Sequence, residues 1–302
     1  MVTKLGVRET PRGDKLKARA FNYVRASTLV EALDAYEGAG SDASYIAGGQ
    51  SLVPSLALRL QAPELLIDIA HIPELRGIEL KGNWLRIGAL TRHAEVLADP
   101  LIRTHAPLYS EAAPHVAHPA IRNKGTIGGS ISHADPASEF PAMTLALGAE
   151  LEIANRDGTR RVRADEFFVD LFQTAIEPGE LLVAIHVPVV RSSHRWAFHE
   201  LARRRGDFAL VGCGILAEVV HGAIEQVRIV FFSVGNTPLR AWKAEDALMG
   251  RVLNQDAIAA AQAAVIHDID PPEDENVPPA MRRHLARVVL GRLLGEIARQ
   301  DP

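Results

Sequence analysis

The sequence predicts an α+β protein in three parts, and three changes of texture along the chain lead to that reading. From Phe21 to Ile69 short apolar runs alternate with helical spacing, as in a small β-α-β-α-β unit. From residue 74 onward the pattern becomes a hairpin, proline-punctuated helices and a glycine-rich stretch. After Pro188 come three long strand-like runs and then helices. A chain of 302 residues, 47% of them hydrophobic, has ample material for a buried core divided into lobes.

In the first part, Thr28 followed by Glu31 forms a capping box, and Leu29, Leu33 and Tyr36 fall on one helical face ended by Gly38-Ala-Gly40. Ser44 to Ile46 reads as a strand, Leu52 to Leu60 as a helix stopped before Pro63, and Leu65 to Ile69 as a buried strand. In the second part, Ile78 to Leu80 and Trp84 to Ala89 flank Lys81-Gly82-Asn83 as a hairpin. Thr91 to Val116 is helical, with Pro100 suited to a first helical position. The stretch from Pro119 to Ser130 is too rich in glycine for helix; Ala142 to Leu147 is helical, and strands follow at Leu151 to Ile153 and Leu181 to Val187. In the third part, His194 to Ala202, Phe208 to Val220 and Ile224 to Val234 form an antiparallel meander. Helices at Trp242 to Met249, Gln255 to Ile266 and Ala280 to Ile297 complete it. The expected divisions are a basic arm at 1–18, a first lobe at 19–73, a second at 74–190 and a C-terminal α+β domain at 191–302.

Composition removes several classes of function. With 23 glycines and 18 prolines the chain is neither collagen-like nor disordered throughout. Its net charge of −4 argues against a general nucleic-acid binder. The longest apolar run, Phe208 to Val219, is interrupted by Glu218 and is too short to span a membrane. Six basic residues between Lys4 and Arg19 have no apolar stretch after them, unlike a secretory signal, so cytoplasmic residence is the expectation. The single cysteine, Cys213, cannot build an iron–sulfur cluster or a thiolate zinc site, and its place in a strand suits a core residue.

Two glycine pairs carry the strongest chemical signal: Gly48-Gly49 beside Ser51, and Gly128-Gly129 between Thr126 and Ser130. Glycine lets a ligand approach the main chain closely, and successive amides in such turns converge on anions. Two such loops from different lobes could clamp a diphosphate; each alone could equally be an ordinary tight turn. No G-x-G-x-x-G follows a strand and no G-x-x-x-x-G-K-[ST] occurs. His115 and His118 lack a third metal ligand at useful spacing, and Arg203-Arg204-Arg205 reads as a solvated turn. Asp135 and Glu139 could cap a helix or accept hydrogen bonds from a ribose.

These stretches carry a resemblance. Ile46-Ala-Gly-Gly-Gln-Ser-Leu52 with Ile67-Asp-Ile69, His118-Pro-Ala-Ile-Arg-Asn-Lys-Gly-Thr-Ile-Gly-Gly-Ser130, Ser132-His-Ala-Asp-Pro-Ala137, Glu177-Pro-Gly-Glu-Leu-Leu182 and Arg204-Arg-Gly-Asp-Phe-Ala209 resemble the FAD-binding medium subunit of the molybdenum hydroxylase family, of the carbon monoxide dehydrogenase and xanthine dehydrogenase type. The resemblance implies a two-lobed FAD-binding domain (PCMH-type) followed by a domain with a three-stranded antiparallel sheet and helices. It places the FAD diphosphate between Ala47, Gly48, Gly49, Gln50 and Ser51 on one side and Thr126, Gly128, Gly129 and Ser130 on the other, held largely through main-chain amides. It sets Ile46 and Leu182 against flavin or adenine surfaces, Asp135 and Glu139 near the cofactor with Glu139 toward ribose, and Phe208 beside the isoalloxazine ring. Some relatives of that family carry Tyr at position 208 and some Lys near 199 or 200, where this chain has Phe208, His199 and Glu200. The implied function is electron relay: a large molybdenum-cofactor subunit oxidises substrate, a small subunit with two [2Fe–2S] clusters carries the electrons, and FAD passes them to an external acceptor. The implied assembly is a dimer of heterotrimers. A free-standing flavin oxidoreductase, with His199 or His133 as acid or base, and a scaffold with a degenerate nucleotide site are the alternatives.

Overall fold

The structure is a computed structural model that describes residues 17–274 and 277–300. The basic arm expected at 1–18 lies outside the described residues except for its last two.

The first unit runs β1 (Asn22–Arg25), α1 (Leu29–Ala39), β2 (Ala43–Ile46), α2 (Leu52–Ala57) and β3 (Leu65–Asp68), with the strands parallel in the order β1-β3-β2. The capping box forms with a small displacement: Thr28 Oγ1 accepts from the Glu31 amide at 3.2 Å, while the Glu31 carboxylate accepts from the Ser27 amide at 2.7 Å. Helix α2 is shorter than its apolar run, because Arg59 turns into the left-handed region at φ 59° and leaves Leu58 and Leu60 exposed.

The second unit contains β4 (Ile78–Lys81), β5 (Trp84–Gly88), α3 (His93–Ala98), α4 (Pro100–His105), α5 (Pro107–Ala112), α6 (Pro119–Arg122), α7 (Ile127–His133) and α8 (Glu139–Ala146). It continues through β6 (Glu150–Asn155), β7 (Gly158–Arg163), α9 (Ala164–Phe167), β8 (Phe168–Asp170), β9 (Gln173–Thr174) and β10 (Leu181–Pro188). Five strands form an antiparallel sheet in the order β4-β5-β10-β6-β7. Pro100 starts α4 as expected, behind an Asp99 carboxylate that accepts from the Leu101 and Ile102 amides at 2.8 and 3.2 Å. The glycine-rich stretch differs from its expectation. It holds two short helices, and Gly128-Gly129 lies in the first turn of α7, capped by Thr126. Tertiary anchoring outweighs glycine's poor helix propensity here: the Ile127 and Gly128 amides donate to Thr91 and Ala89 carbonyls, both at 2.9 Å.

The third unit opens with β11 (His194–Ala202), β12 (Ala209–Val220) and β13 (Ala223–Phe232), the three long antiparallel strands expected; a two-residue strand, β14 (Leu239–Arg240), adds an edge. Helices α10 (Trp242–Asp246), α11 (Gln255–Ala264) and α12 (Pro279–Ile297) follow. Strand alternation divides the two faces: Cys213, Ile215, Ile229 and Phe231 share a core with α11 and α12, whereas Val230 and Phe232 pack with Phe140 and Met143 of α8. That double burial explains why α8 is apolar all round, from Phe140 to Ala146. Cys213 is fully buried and its thiol is pushed well up by burial, consistent with a core residue. Asp165 of α9 ties the sheet to the second unit, accepting from Arg228 at 3.0–3.1 Å and from Arg240 at 3.1 Å, with Arg240 also on Glu245 at 2.9 Å. Among the described residues no helix is long and apolar enough to cross a membrane.

Candidate functional site

The first glycine loop follows β2, and the second opens α7, so each is aimed by the end of a regular element. They meet: a Cβ placed on Gly48 would stand 2.2 Å from the Lys124 carbonyl oxygen and 2.8 Å from Gly125 Cα. The facing backbone at 124–125 is fixed by α6, whose Arg122 guanidinium donates to the Val116 and Ala117 carbonyls at 2.8 and 3.0 Å. Gly128 is equally confined, since a Cβ there would come within 2.5 Å of Ala89 Cβ. Glycine at both positions is a packing requirement of the junction.

Around this junction lies a cleft of about 880 Å³, toward the upper end of the roughly 300–1,000 Å³ usual for ligand pockets. Its walls include Ala47, Gly48, Gly49, Gln50, Ser51, Thr126, Gly128, Gly129, Ser130, Asp135, Glu139, Leu182 and Phe208, which the sequence had nominated from regions far apart in the chain. Ile46 is the exception. It does not line the cleft; its side chain supports the turn from below, with Cδ1 3.5 Å from where a Gly49 Cβ would be.

The two loops differ in what they offer an anion. Among the described residues, none of the amides from Ala47 to Ser51 donates to a protein acceptor; the Gln50 side chain bonds back to the Gly48 carbonyl at 2.8 Å and shapes the turn. Five consecutive N–H groups are thus left unshared in a loop that turns at Gly49, φ 70°, and runs of such amides can bind an anion. In the second loop the amides are already spent. Gly128 donates to Ala89 at 2.9 Å, Gly129 to Thr126 Oγ1 at 3.1 Å and Ser130 to the Thr126 carbonyl at 3.0 Å. Gly128, Gly129 and Ser130 therefore keep their amides within the fold, and what the second loop offers the cleft is the hydroxyls of Thr126 and Ser130.

The remaining wall carries unusual titratable groups. Glu139, first residue of α8, is raised to about 8, mainly by burial and then by the charges of Glu200 and Asp135. Asp135 accepts from the Ala137 amide at 2.9 Å, closing a turn ahead of α8 without capping that helix, whose cap position is Ser138, and it lines the cleft. His133 leans on Phe172, with ring centroids 5.0 Å apart. His93, which sequence reasoning missed, is buried on the cleft wall with both ring nitrogens unbonded, edge-on to Phe140 at 5.0 Å. Burial pushes its pKa down to about 4. In the fold, His93 and Val96 are the buried pair of α3.

An FAD-binding family model, the FAD binding domain in molybdopterin dehydrogenase, matches residues 19–190, and the CO dehydrogenase flavoprotein C-terminal domain matches 196–297. The chain belongs to the family of FAD-binding medium subunits of molybdenum dehydrogenases. It is 38% identical to the 6-hydroxypseudooxynicotine dehydrogenase complex subunit alpha of Paenarthrobacter nicotinovorans over 93% of this chain and 95% of that one. With the carbon monoxide dehydrogenase medium chain of Hydrogenophaga pseudoflava it shares 37% identity over 84% and 88% of the two chains. The solved carbon monoxide dehydrogenase of that organism superposes with a TM-score of 0.90 at 37% identity, covering 93% of this chain and 98% of that chain. Quinoline 2-oxidoreductase of Pseudomonas putida 86 gives 0.89 at 34% identity, covering 94% and 98%. The medium subunit is thus part of an oxidoreductase and its cofactor is FAD. The free amides of the first loop and the glycine-confined junction fit the diphosphate of that cofactor.

Proposed function

We propose that this medium subunit is the electron-transfer flavoprotein of a heteromeric molybdenum hydroxylase, accepting electrons from [2Fe–2S] clusters on a small partner subunit and passing them from FAD to an external acceptor. A large molybdenum-cofactor subunit completes the complex, which we place in the cytoplasm as a dimer of heterotrimers. The observation that carries the reading is the row of five unshared amides from Ala47 to Ser51, in a loop that lines one cleft together with the second glycine loop. The single, buried cysteine supports the need for a partner, because this chain cannot hold a cluster.

In this reading the lobes at 19–73 and 74–190 close on the cofactor, and the domain at 191–302 covers it. Ala47, Gly48, Gly49, Gln50 and Ser51 bind the diphosphate through N–H groups, with Thr126 and Ser130 adding hydroxyls and Gly128 and Gly129 admitting close approach. Asp135 and Glu139 orient polar atoms of the cofactor, Leu182 and Phe208 cover its apolar surfaces, and Ile46 stiffens the first loop. Bound FAD supplies the exchange between one-electron and two-electron carriers; the chain holds it, excludes water and sets its surroundings. The test is to co-express the chain with its partners, purify the complex and record visible spectra. A flavin band that bleaches after the clusters are reduced is expected. A complex without flavin, or with flavin indifferent to cluster reduction, would defeat the proposal.

A further inference from the structure

Between β8 and β9 the chain reverses through a two-residue turn, Leu171-Phe172, with Asp170 and Gln173 paired on either side. Phe172 stands at φ 54° there. Turn positions with positive φ are ordinarily taken by glycine or asparagine, because a side chain crowds the carbonyl that follows, so a bulky aromatic is an outlier. Burial does not compensate for it. Phe172 is 50% exposed, and the ring contact it makes is with His133, centroid to centroid 5.0 Å.

The turn is firmly held. The Asp170 carboxylate accepts from the Leu171 amide at 2.8 Å and from the Asn236 side chain at 3.0 Å, which ties the hairpin to the third unit. At its base the Ala175 amide donates to the Phe167 carbonyl at 2.8 Å. A costly backbone conformation is thus fixed by its surroundings, and it sets the direction of one side chain. Three apolar residues of this hairpin are exposed: Val169, Leu171 and Phe172. Phe172 lines the cofactor cleft, Leu171 lines a neighbouring cavity of about 780 Å³, and Val169 lines neither. Phe208 borders both cavities, so Leu171-Phe172 and Phe208 lie where the two adjoin.

We propose that Phe172 covers the isoalloxazine ring of the bound cofactor and closes that end of the cleft together with Phe208. This deepens the flavin reading above and rests on it. In the empty chain an exposed aromatic at positive φ is unfavourable twice, through backbone strain and through apolar surface left in water. A planar heteroaromatic ring laid against Phe172 removes the second cost by burial and stacking. Phe208 stands at the same end in that reading, so the ring is the flavin's and the adenosine lies elsewhere in the cleft. Phe172 therefore distinguishes ligands that carry the flavin ring from those that share only the adenosine diphosphate.

The test uses the full chain as wild type, Phe172→Gly, Phe172→Ala and Phe172→Tyr, titrated with FAD and separately with ADP. FAD should bind about five- to a hundredfold more weakly to the Gly and Ala variants, the worth of one aromatic stack, while Phe172→Tyr stays near wild type. ADP should bind all four chains alike. Without ligand, Phe172→Gly should melt no lower than wild type and about 2–4 °C above Phe172→Ala, because glycine alone relieves the backbone. FAD affinity within about threefold of wild type in folded Phe172→Gly would overturn the proposal. An equal loss of ADP affinity would also overturn it, by placing adenine against the ring, and a ligand-free Gly variant less stable than wild type would make Phe172 a structural residue. Circular dichroism reports folding, and if Phe172→Gly does not fold, Phe172→Ala carries the same comparison of FAD with ADP. A wild-type chain with no affinity for FAD, alone or in its complex, would instead defeat the flavin reading itself.

Discussion

Gly48→Ala puts the smallest possible wedge into the contact between the two loops. The new Cβ would fall 2.2 Å from the Lys124 carbonyl oxygen, against a practical floor of 3.0 Å, so the loops must part by about 0.8 Å. The obstacle is backbone on both sides, and α6 holds Lys124 in place through Arg122, so no side chain can swing away. Overpacking of this kind costs about 1–3 kcal/mol of stability, which the remaining cores can absorb. The larger effect falls on the cofactor. Charge-assisted hydrogen bonds contribute about 1.5–3 kcal/mol each, and a shift of this size spoils two of the amide contacts to phosphate. The expected loss is about 3–6 kcal/mol, or roughly a hundredfold to ten-thousandfold in FAD affinity. Fluorescence titration of the apo chain with FAD measures it, with circular dichroism showing that the variant remains folded. A folded variant whose Kd lies within about threefold of wild type would refute the reasoning that this junction positions the phosphate site.

Other perturbations test separate parts of the account. His93 has a depressed pKa, so the unfolded chain binds its proton first and stability falls as pH drops from 6.5 toward 4; wild type should lose about 2.5 kcal/mol from this group between pH 7.5 and 4.5, and His93→Phe should not. Urea melts at the two pH values decide it, and equal losses in both proteins would show that His93 is not held neutral. Asp165 is pushed up by burial, but hydrogen bonds and charge from Arg228 and Arg240 outweigh this and hold it low. Asp165→Ala takes the carboxylate from Arg228, while Arg240 keeps Glu245, and should cost about 3 kcal/mol at pH 7, an advantage of wild type that fades as pH falls through the depressed pKa; thermal melts that do not move would contradict it. Phe208 is 68% exposed, so Phe208→Ala should change stability by less than about 0.5 kcal/mol while shifting the flavin absorption band. An unaltered spectrum would remove Phe208 from the ring's surroundings.

Much of this architecture was legible because local chemistry and tertiary packing agree. Thr28 with Glu31, Asp99 with Pro100 and the alternation along β12 each specify locally what the fold uses. The first glycine loop was equally readable, since an open turn needs no partner to be recognised. Helix α7 was not, because Gly128-Gly129 opposes helix by propensity and its first turn is fixed by carbonyls of Ala89 and Thr91, nearly forty residues upstream. That anchoring consumes the Gly128 amide, and Thr126 takes those of Gly129 and Ser130. Strands β7 to β9 were hidden by the exposed Arg160, Arg161 and Arg163 and by elements of two or three residues. His93 and Glu200 look like ordinary surface residues in sequence; only the packing of α3 and β11 makes them buried polar groups.

Amide hydrogen exchange with and without FAD tests the central claim most directly, because the two loops are expected to respond differently. The amides from Ala47 to Ser51 should exchange freely in the apo chain and become protected when FAD binds, while those of Gly128, Gly129 and Ser130 should be slow in both states. Bound FAD with Ala47 to Ser51 still exchanging at the apo rate would contradict the assignment of the first loop as the phosphate grip.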